Sequence, residues 1–333
     1  MTATTHPAPA VDGITRLLPG VALTLPIAAV AMVVGDRVTL LGAAVVALLL
    51  GFVVRWPLRA RHAPLLPGVR FSSAGLLQLA VVLLGAQVSL GEVARVGVSS
   101  LPVMLVTLTA CLTTAYVVGR RLGIDADLRT MIGAGTAICG ASAIGAVSSV
   151  IRPRGSSVTY AISTIFCFNV VAVLVFPPLG HLLGLSQQQF GLFAGTAVND
   201  TSSVVAAASA YGSAATDHAV VVKLARTLMI VPICAALSTR GRATGAGRLL
   251  RLVPWFLAGF LAMAAINSAG LLPTSLLGVL RQAATFLTAA AMAAIGFSAD
   301  PVALRGTGPR PLFLGAILWA VVSATSLLAQ AFL

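Results

Sequence analysis

The sequence predicts an all-α protein that crosses a lipid bilayer many times. Of its 333 residues, 58% are hydrophobic and only 9% are charged, and the mean hydropathy is +1.02. Apolar runs of about 20 residues, the length that a helix needs to cross the hydrocarbon core, recur along the whole chain. This composition excludes a soluble globular protein. We expect one transmembrane domain over residues 13–333, preceded by a disordered tail over residues 1–12, which are small, polar and proline-containing.

The apolar runs divide into eleven segments. They cover residues 17–34, 38–54, 72–90, 98–119, 129–151, 157–180, 187–211, 217–238, 252–270, 280–298 and 311–332. The first segment is interpreted as a span, because its apolar part is long for a signal peptide and Arg16 is its only basic flank.

The arginines predict the orientation of these spans. The net charge of +13 is dispersed over short loops, so nucleic acid is not expected as a partner and the lipid bilayer is. With a cytoplasmic N-terminus, the cytoplasmic side receives Arg16, Arg55, Arg59, Arg61, Arg70, Arg120, Arg121, Arg129, Arg240, Arg242, Arg248, Arg251, Arg305 and Arg310. The opposite side receives Arg37, Arg95, Arg152, Arg154 and Arg281. The positive-inside rule therefore predicts an N-terminus in the cytoplasm and, with eleven spans, a C-terminus outside.

A glycine-rich segment occurs twice. "GTAICGASAIGAVSS" at 135–149 aligns without gaps to "GTAVNDTSSVVAAAS" at 195–209, and a weaker similarity links 83–97 to 294–308. Internal duplication is typical of secondary transporters, which bind substrate where broken helices of two inverted repeats meet near mid-membrane. The sequence therefore predicts an inverted-repeat architecture with discontinuous helices.

The two copies supply most of the candidate substrate-binding residues. Glycine tolerates a break in a helix, and the N–H groups at a helix end attract anions. The candidates are Thr136, Cys139, Gly140 and Ser142 in the first copy and Asn199, Asp200, Thr201 and Ser202 in the second. The alternative is close helix packing through small residues. The binding interpretation predicts that leucine blocks function at Gly140 but is mild at Gly42, in an ordinary span.

The direction of the two glycine-rich segments stays open at this point. If both span the membrane, they run in the same direction and eleven spans result. If both are re-entrant, they enter from opposite faces, nine full spans remain, and Arg152 and Arg154 move to the cytoplasmic side. Either geometry directs the two motifs to a common midplane.

Two cations complete the candidate site. Lys223, the protein's single lysine, and Arg226 lie in one apolar segment. An ionised side chain near the bilayer centre costs about 2.5–3.5 kcal/mol on insertion scales, so both groups need partners. A spacing of three places them on one helix face. We expect Lys223 to line a water-accessible cavity and to pair with Asp200; the alternative is that both cations extend to a membrane interface.

Three motifs, "GAGTAICGASAI", "NDTSSVVAAA" and "VKLARTLMIVP", resemble the YeiH-type bacterial inner-membrane proteins, a family named as sulfate exporters. The resemblance covers nearly the whole chain from about residue 20. It implies the inverted-repeat fold with discontinuous helices of the cation/proton antiporter and anion transporter superfamily. Ser203 stands where members of the family often carry glutamine.

These observations predict a secondary transporter of a small, sulfate-like anion, with protons as a candidate coupling ion and a homodimer left open. No cofactor or metal is expected, because the four cysteines have no C-x-x-C spacing and no Walker-type motif is present. The alternatives are a passive channel or a membrane scaffold. An intramembrane enzyme is the weakest alternative, since the four histidines form no H-E-x-x-H arrangement.

Overall fold

The computed structural model describes residues 10–37, 42–58, 63–238, 254–298 and 309–332, and helices dominate these ranges. The helices are α1 (Ala10–Arg37), α2 (Gly42–Arg55), α3 (Leu66–Phe71), α4 (Leu77–Leu84), α5 (Leu90–Arg121), α6 (Ala126–Ala137), α7 (Ala141–Ile151), α8 (Gly155–Leu182), α9 (Gln187–Ala197), α10 (Thr201–Tyr211), α11 (Ser213–Thr227), α12 (Ile230–Ser238), α13 (Trp255–Ser268), α14 (Thr274–Ser298) and α15 (Pro309–Phe332). A π-helical turn, Ser72–Leu76, joins α3 to α4. Of the expected tail, residues 1–9 lie outside the described residues, and α1 begins at Ala10.

The prediction of a multi-pass helical membrane protein is confirmed. Seven continuous helical stretches are long and apolar enough to cross a membrane, and α2, α7 and α13 are shorter apolar helices. Each of the eleven predicted segments is mainly helical where it is described. The fifth and seventh are each broken into two helices, at residues 138–140 and 198–200.

Glycine and an N-cap aspartate account for the two breaks. In the first, Gly140 precedes α7 with φ of +67°, a left-handed conformation that is strained for other residues. In the second, Val198 is extended and the Asp200 side chain caps α10. Both motifs thus terminate one helix and start another. We call α6 with α7 hairpin 1, and α9 with α10 hairpin 2.

Hairpin 2 is re-entrant. Helices α9 and α11 run parallel. Gly191 of α9 packs against Ala215 of α11, and one turn later Gly195 of α9 packs against Val222 of α11. The start of α11 therefore lies level with the start of α9. Tyr211, at the end of α10, stacks on Phe190 near the start of α9, with 3.9 Å between ring centroids. Helix α10 has returned to the face from which α9 entered.

Hairpin 1 is re-entrant from the other face. Helix α15 starts beside Gly119, at the end of α5. It then runs parallel to α8, because Gly315 packs against Thr164 while Trp319, further along, stacks on Phe176. The start of α8 thus lies at the face where α5 ends and α6 begins. Helix α7 has returned to that face, so nine of the eleven segments remain as candidate spans, and seven of these are long and apolar enough to cross a membrane.

The re-entrant geometry corrects the first assignment of two arginines. Arg152 and Arg154 follow hairpin 1 and lie on the same face as Arg120 and Arg121, not on the opposite one. We call this the arginine-rich face. Hairpin 2 enters from the arginine-poor face, which retains Arg37, Arg95 and Arg281. The separation of arginines between the faces is therefore sharper than eleven spans would give.

The helices form two bundles. Helices α1–α4, α13 and α14 pack together as the support bundle, and α5–α12 with α15 form the hairpin bundle. The bundles meet where α10 lies against α2 and α14, in a cluster rich in alanine that includes Ala44, Ala206, Ala210, Ala289 and Ala293. Small residues allow the helix backbones to approach closely there. The interior ends of both hairpins lie next to this boundary.

Candidate functional site

The breaks of the two hairpins meet inside the protein. A Cβ atom placed on Gly140 would lie 3.6 Å from the Cβ of Asp200. The two glycine-rich motifs therefore converge on one point, as the sequence predicts. Four half-helix ends surround this crossing: the C-terminal ends of α6 and α9, and the N-terminal ends of α7 and α10.

Lys223 joins the C-terminal ends of the two hairpins' first helices. Its ammonium nitrogen donates to the carbonyl oxygens of Ile138, 2.8 Å away, and Val198, 2.9 Å away. The side chain is fully buried, at 0% exposure. Carbonyls in the last turn of a helix have no partner within the helix, and the helix dipole makes that end negative. A buried ammonium donates hydrogen bonds to these carbonyls and also offsets the negative charge of the helix ends.

Arg226 binds the same two helix ends one turn further along α11. Its Nε donates to Ala137 O at 2.7 Å, its Nη2 donates to Thr136 O at 2.7 Å, and its Nη1 donates to Thr196 O. Its exposure is only 1%. The predicted shared face of the two cations is confirmed, and the alternative of extension to an interface is wrong. The carbonyls of the helix breaks are the partners that make these buried charges tolerable.

The expected ion pair between Asp200 and Lys223 is not present. Within the described part of the chain, no carboxylate lies within 4.0 Å of the Lys223 ammonium. The Asp200 side chain instead accepts from the backbone N–H groups of Ser202, at 3.1 Å, and Ser203, at 3.3 Å, and from the Ser202 hydroxyl. The N-terminus of α10 attracts the carboxylate, while the C-terminal carbonyls attract the ammonium.

The two hairpins differ at this N-terminus. Gly140 occupies the N-cap of α7 and offers no capping side chain, whereas Asp200 caps α10. Ala141 and Ser142, the first residues of α7, are exposed. The positive end of α7 is therefore the one half-helix end at the crossing that no charged side chain of the described residues compensates.

A cavity of about 280 Å³ lies beside the crossing, between the two bundles. It is lined by Leu48, Ser73, Ala74, Ala141, Ile162, Ile165, Phe166, Asn169, Val170, Val173, Asp200, Ser202, Ser203, Met292 and Ile295. Of the ten residues predicted for the site, Asp200 and Ser202 line this cavity. The others surround the crossing without lining it: Thr136, Cys139, Gly140, Ser142, Asn199, Thr201, Lys223 and Arg226. The predicted contact of Lys223 with a water-accessible cavity is therefore wrong in this conformation.

Asn169 is a site residue that the sequence analysis missed. Its Oδ1 accepts from the backbone N–H groups of Asn199, at 3.2 Å, and Asp200, at 3.3 Å, and it lines the cavity. It thereby holds the break of hairpin 2 open. The signal was a single buried amide within the apolar run of α8. Asn199 Oδ1 is itself buried without a hydrogen-bond partner.

The cavity wall contributed by the support bundle also contains irregular backbone. Ser73 and Ala74 lie in the π-helical turn, and the neighbouring Ser72 hydroxyl bonds to the Thr24 hydroxyl at 2.9 Å. Single π-helical turns are frequent at functional sites because they redirect side chains and leave carbonyls free. The hydroxyls, the Asn169 amide and one carboxylate give the cavity its polar chemistry.

The electrostatics of the crossing favour an anionic ligand. In their ionised forms, Lys223 and Arg226 contribute two positive charges and Asp200 one negative charge. Two C-terminal and two N-terminal half-helix ends, each worth about half a charge, cancel. The region therefore carries about one net positive charge within a largely apolar interior, where electrostatic interactions are strong.

Comparison with known proteins places the chain in a family. The family model described as conserved hypothetical protein 698 matches residues 19–315. The chain belongs to this family. It is 40% identical over 329 residues to a UPF0324 membrane protein of Streptococcus pyogenes serotype M6, covering 95% of this chain and 97% of that protein. A UPF0324 membrane protein of Streptococcus pneumoniae is 40% identical over 320 residues, covering 92% and 95%. One from Streptococcus agalactiae serotype V is 38% identical over 330 residues, covering 95% and 97%.

The relatives support a membrane location for this chain. Their names describe membrane proteins, in agreement with the helices of this chain. Because each match covers nearly the full length of both chains, the two hairpins and the α11 cations lie within the matched region. The sulfate-exporter function suggested by the resemblance goes beyond these names.

Proposed function

We propose that this protein is a secondary transporter of a small anion rather than an enzyme. The observation that supports it most directly is the meeting of two re-entrant hairpins, one from each face, at a crossing with a cavity beside it. Such convergence gives a site near mid-membrane that is close to both sides, which is what alternating access requires. Sulfate-like oxyanions are the proposed substrate class.

The charge at the crossing supports an anion as substrate. Ala141, at the uncapped N-terminus of α7, lines the cavity together with Ser202 and Ser203. Backbone N–H groups and hydroxyls are suitable donors for an oxyanion. Lys223 and Arg226 lie behind the cavity wall, where they bind the carbonyls of the helix breaks. They therefore affect the transported anion through their electrostatic field and by fixing the positions of the half-helices.

The boundary between the bundles supports a carrier rather than a channel. The cavity has walls from both bundles, and the helices that meet there do so largely through alanine. A boundary of small side chains lets one bundle shift against the other without large rearrangement, as in rocking or sliding transporters. Asp200, whose carboxylate lines the cavity, is the proposed proton carrier for coupled transport.

The arginine distribution supports an orientation with the N-terminus in the cytoplasm, and the family resemblance supports the bacterial inner membrane as the location. The arginine-rich face is then cytoplasmic. Arg240, Arg242, Arg248 and Arg251, which the sequence analysis assigns to the same side, lie outside the described residues. The arginine-poor face, from which hairpin 2 enters, is then external.

Flux measurements on the purified protein in proteoliposomes test the proposal. Vesicles preloaded with unlabelled sulfate are expected to take up labelled sulfate by exchange, with saturation and with acceleration by a pH gradient. The same vesicles are offered sulfite, thiosulfate, taurine and small carboxylates as competitors. Flux without saturation or exchange would indicate a channel. Absence of flux for every anion, in protein that is folded by thermal unfolding, would overturn the proposal.

A further inference from the structure

A second polar cavity lies at the arginine-poor face, also between the two bundles. Its volume is about 130 Å³. It is lined by Leu84, Val205, Ser209, Ser213, Thr216, Arg281, Ala284, Thr285 and Thr288. One guanidinium and five hydroxyls thus face a small space. This is the donor set that recognises a small oxyanion.

Arg281 also bridges the two bundles. From α14 in the support bundle, its Nη2 lies 2.8 Å from Asp217 Oδ2, and its Nη1 lies 3.4 Å from Asp217 Oδ1, on α11 in the hairpin bundle. Its Nε donates to Gln87 Oε1 at 3.2 Å. The side chains are 33% exposed for Arg281 and 16% for Asp217, so the pair is reachable from water. The fork of the guanidinium is occupied by the carboxylate, and an oxyanion competes for it.

Four of the five hydroxyls donate to nearby backbone carbonyls in this conformation. Thr216 donates to Gly212 O, Thr285 to Arg281 O, Ser209 to Ala206 O and Thr288 to Ala284 O. A hydroxyl proton turns by rotation about one bond, so these groups can donate to a ligand without a change of backbone. Four of the five hydroxyls are therefore hydrogen-bonded without a ligand, and all five can donate to an oxyanion in the cavity.

The second cavity is adjacent to the central one along the same two helices. On α14, Thr288 lines the outer cavity and Met292, one turn further, lines the central cavity. On α10, Val205 lines the outer cavity and Ser202 lines the central one. One helical turn is about 5.4 Å, so a single layer of side chains separates the two spaces.

We propose that the outer cavity is the first binding site for a small oxyanion at the arginine-poor face, where the anion displaces Asp217 from Arg281. Binding there opens the ion pair between the bundles and so couples arrival of the anion to their relative movement. The inference rests on the proposed function for its transport role. The binding site itself stands on the cavity, its donors and the ion pair.

Thiol labelling of a cysteine at Ser213 tests binding without any need for flux. The parent protein, with its four native cysteines in membrane segments, gives the background rate. Sulfate is expected to slow the reaction of Ser213→Cys with an anionic methanethiosulfonate in purified protein. Adding Arg281→Gln is expected to raise the protecting sulfate concentration about tenfold or more, and Arg281→Lys to restore part of the protection. Arg95→Gln, at the same face outside the cavity, is the control and leaves the protection unchanged.

Asp217→Asn tests the direction in which the protecting sulfate concentration changes. Because Asp217 competes with the anion, its removal is expected to lower the protecting sulfate concentration about tenfold, although it removes a stabilising ion pair. A weaker protection in Asp217→Asn, or equal protection in Arg281→Gln and the parent, would overturn the inference. Protection without flux in the vesicles would contradict the transport proposal and leave the binding site standing. Flux with an unchanged external half-saturation concentration in Arg281→Gln would contradict the outer binding site and leave the transport proposal standing.

Discussion

The Lys223 ammonium lies 2.8 Å from the carbonyl oxygen of Ile138, inside the break of hairpin 1, although Lys223 is on α11 and 85 residues away. The same nitrogen reaches Val198 O in the break of hairpin 2. One lysine therefore ties together the ends of two helices that enter from opposite faces. The charge stabilises the geometry of the crossing, and the geometry places the uncapped end of α7 at the cavity.

Removal of Lys223 is expected to destabilise the crossing. Lys223→Met leaves the Ile138 carbonyl buried without a donor, at about 1–3 kcal/mol for an unpaired group, and leaves the Val198 carbonyl with only the long 3.5 Å bond from Arg226 Nη1. We expect a lower unfolding temperature and loss of anion flux, measured on the same purified protein. Arg95→Gln, an exposed arginine elsewhere, is the control and should change neither.

The double variant Lys223→Met/Asp200→Asn distinguishes the observed contacts from a direct ion pair. Because Asp200 caps α10 and does not pair with Lys223, neutralising it cannot replace the lost donors. The double variant is expected to be no more stable than Lys223→Met. Recovery of stability in the double variant would show that the two charges compensate each other directly.

Gly140→Leu is expected to abolish flux, because a side chain at φ of +67° is strained and would fill the space beside Asp200. Gly42, which the sequence treats as an ordinary span residue, is not a suitable control. It also has a positive φ of +63°, and a Cβ there would lie 2.9 Å from Ala210 Cα. Gly278 is the matched control, since it lies in a helix and a Cβ there meets nothing within 4 Å. Equal loss of flux in Gly140→Leu and Gly278→Leu would contradict the prediction.

Hydropathy predicted all eleven helical segments because each is an independent apolar run, and the duplicated glycine motif predicted where two of them break. Their direction was not predictable, since a broken span and a re-entrant hairpin have the same local composition. It depends on long-range packing, such as Tyr211 on Phe190. The Lys223 partners were missed for a related reason. Backbone carbonyls leave no signature in a sequence, whereas Asp200 is visible as a carboxylate.

The re-entrant geometry predicts which residues share a face. Cysteine at Ser156, after hairpin 1, is expected to react with an impermeant thiol reagent from the same side as cysteine at Arg121, before it. Cysteine at Gln188 is expected to react from the opposite side only. All three positions are exposed, so reagent access is not limited by packing. Reaction at 156 and 121 from opposite sides would restore the full-span alternative for hairpin 1.

Asp200 is expected to link transport to protons while its capping role is preserved by asparagine. Asp200→Asn retains an acceptor for the α10 N–H groups, so the unfolding temperature should change little, whereas Asp200→Ala should lose about 1 kcal/mol. The amide cannot be protonated in the physiological range, so Asp200→Asn should still exchange sulfate but lose acceleration by a pH gradient. Asp125→Asn is the matched control, because Asp125 caps α6 in the same way but is exposed at the arginine-rich face. It should keep full acceleration. If Asp200→Asn responds to the gradient as the parent does, proton coupling runs through another group.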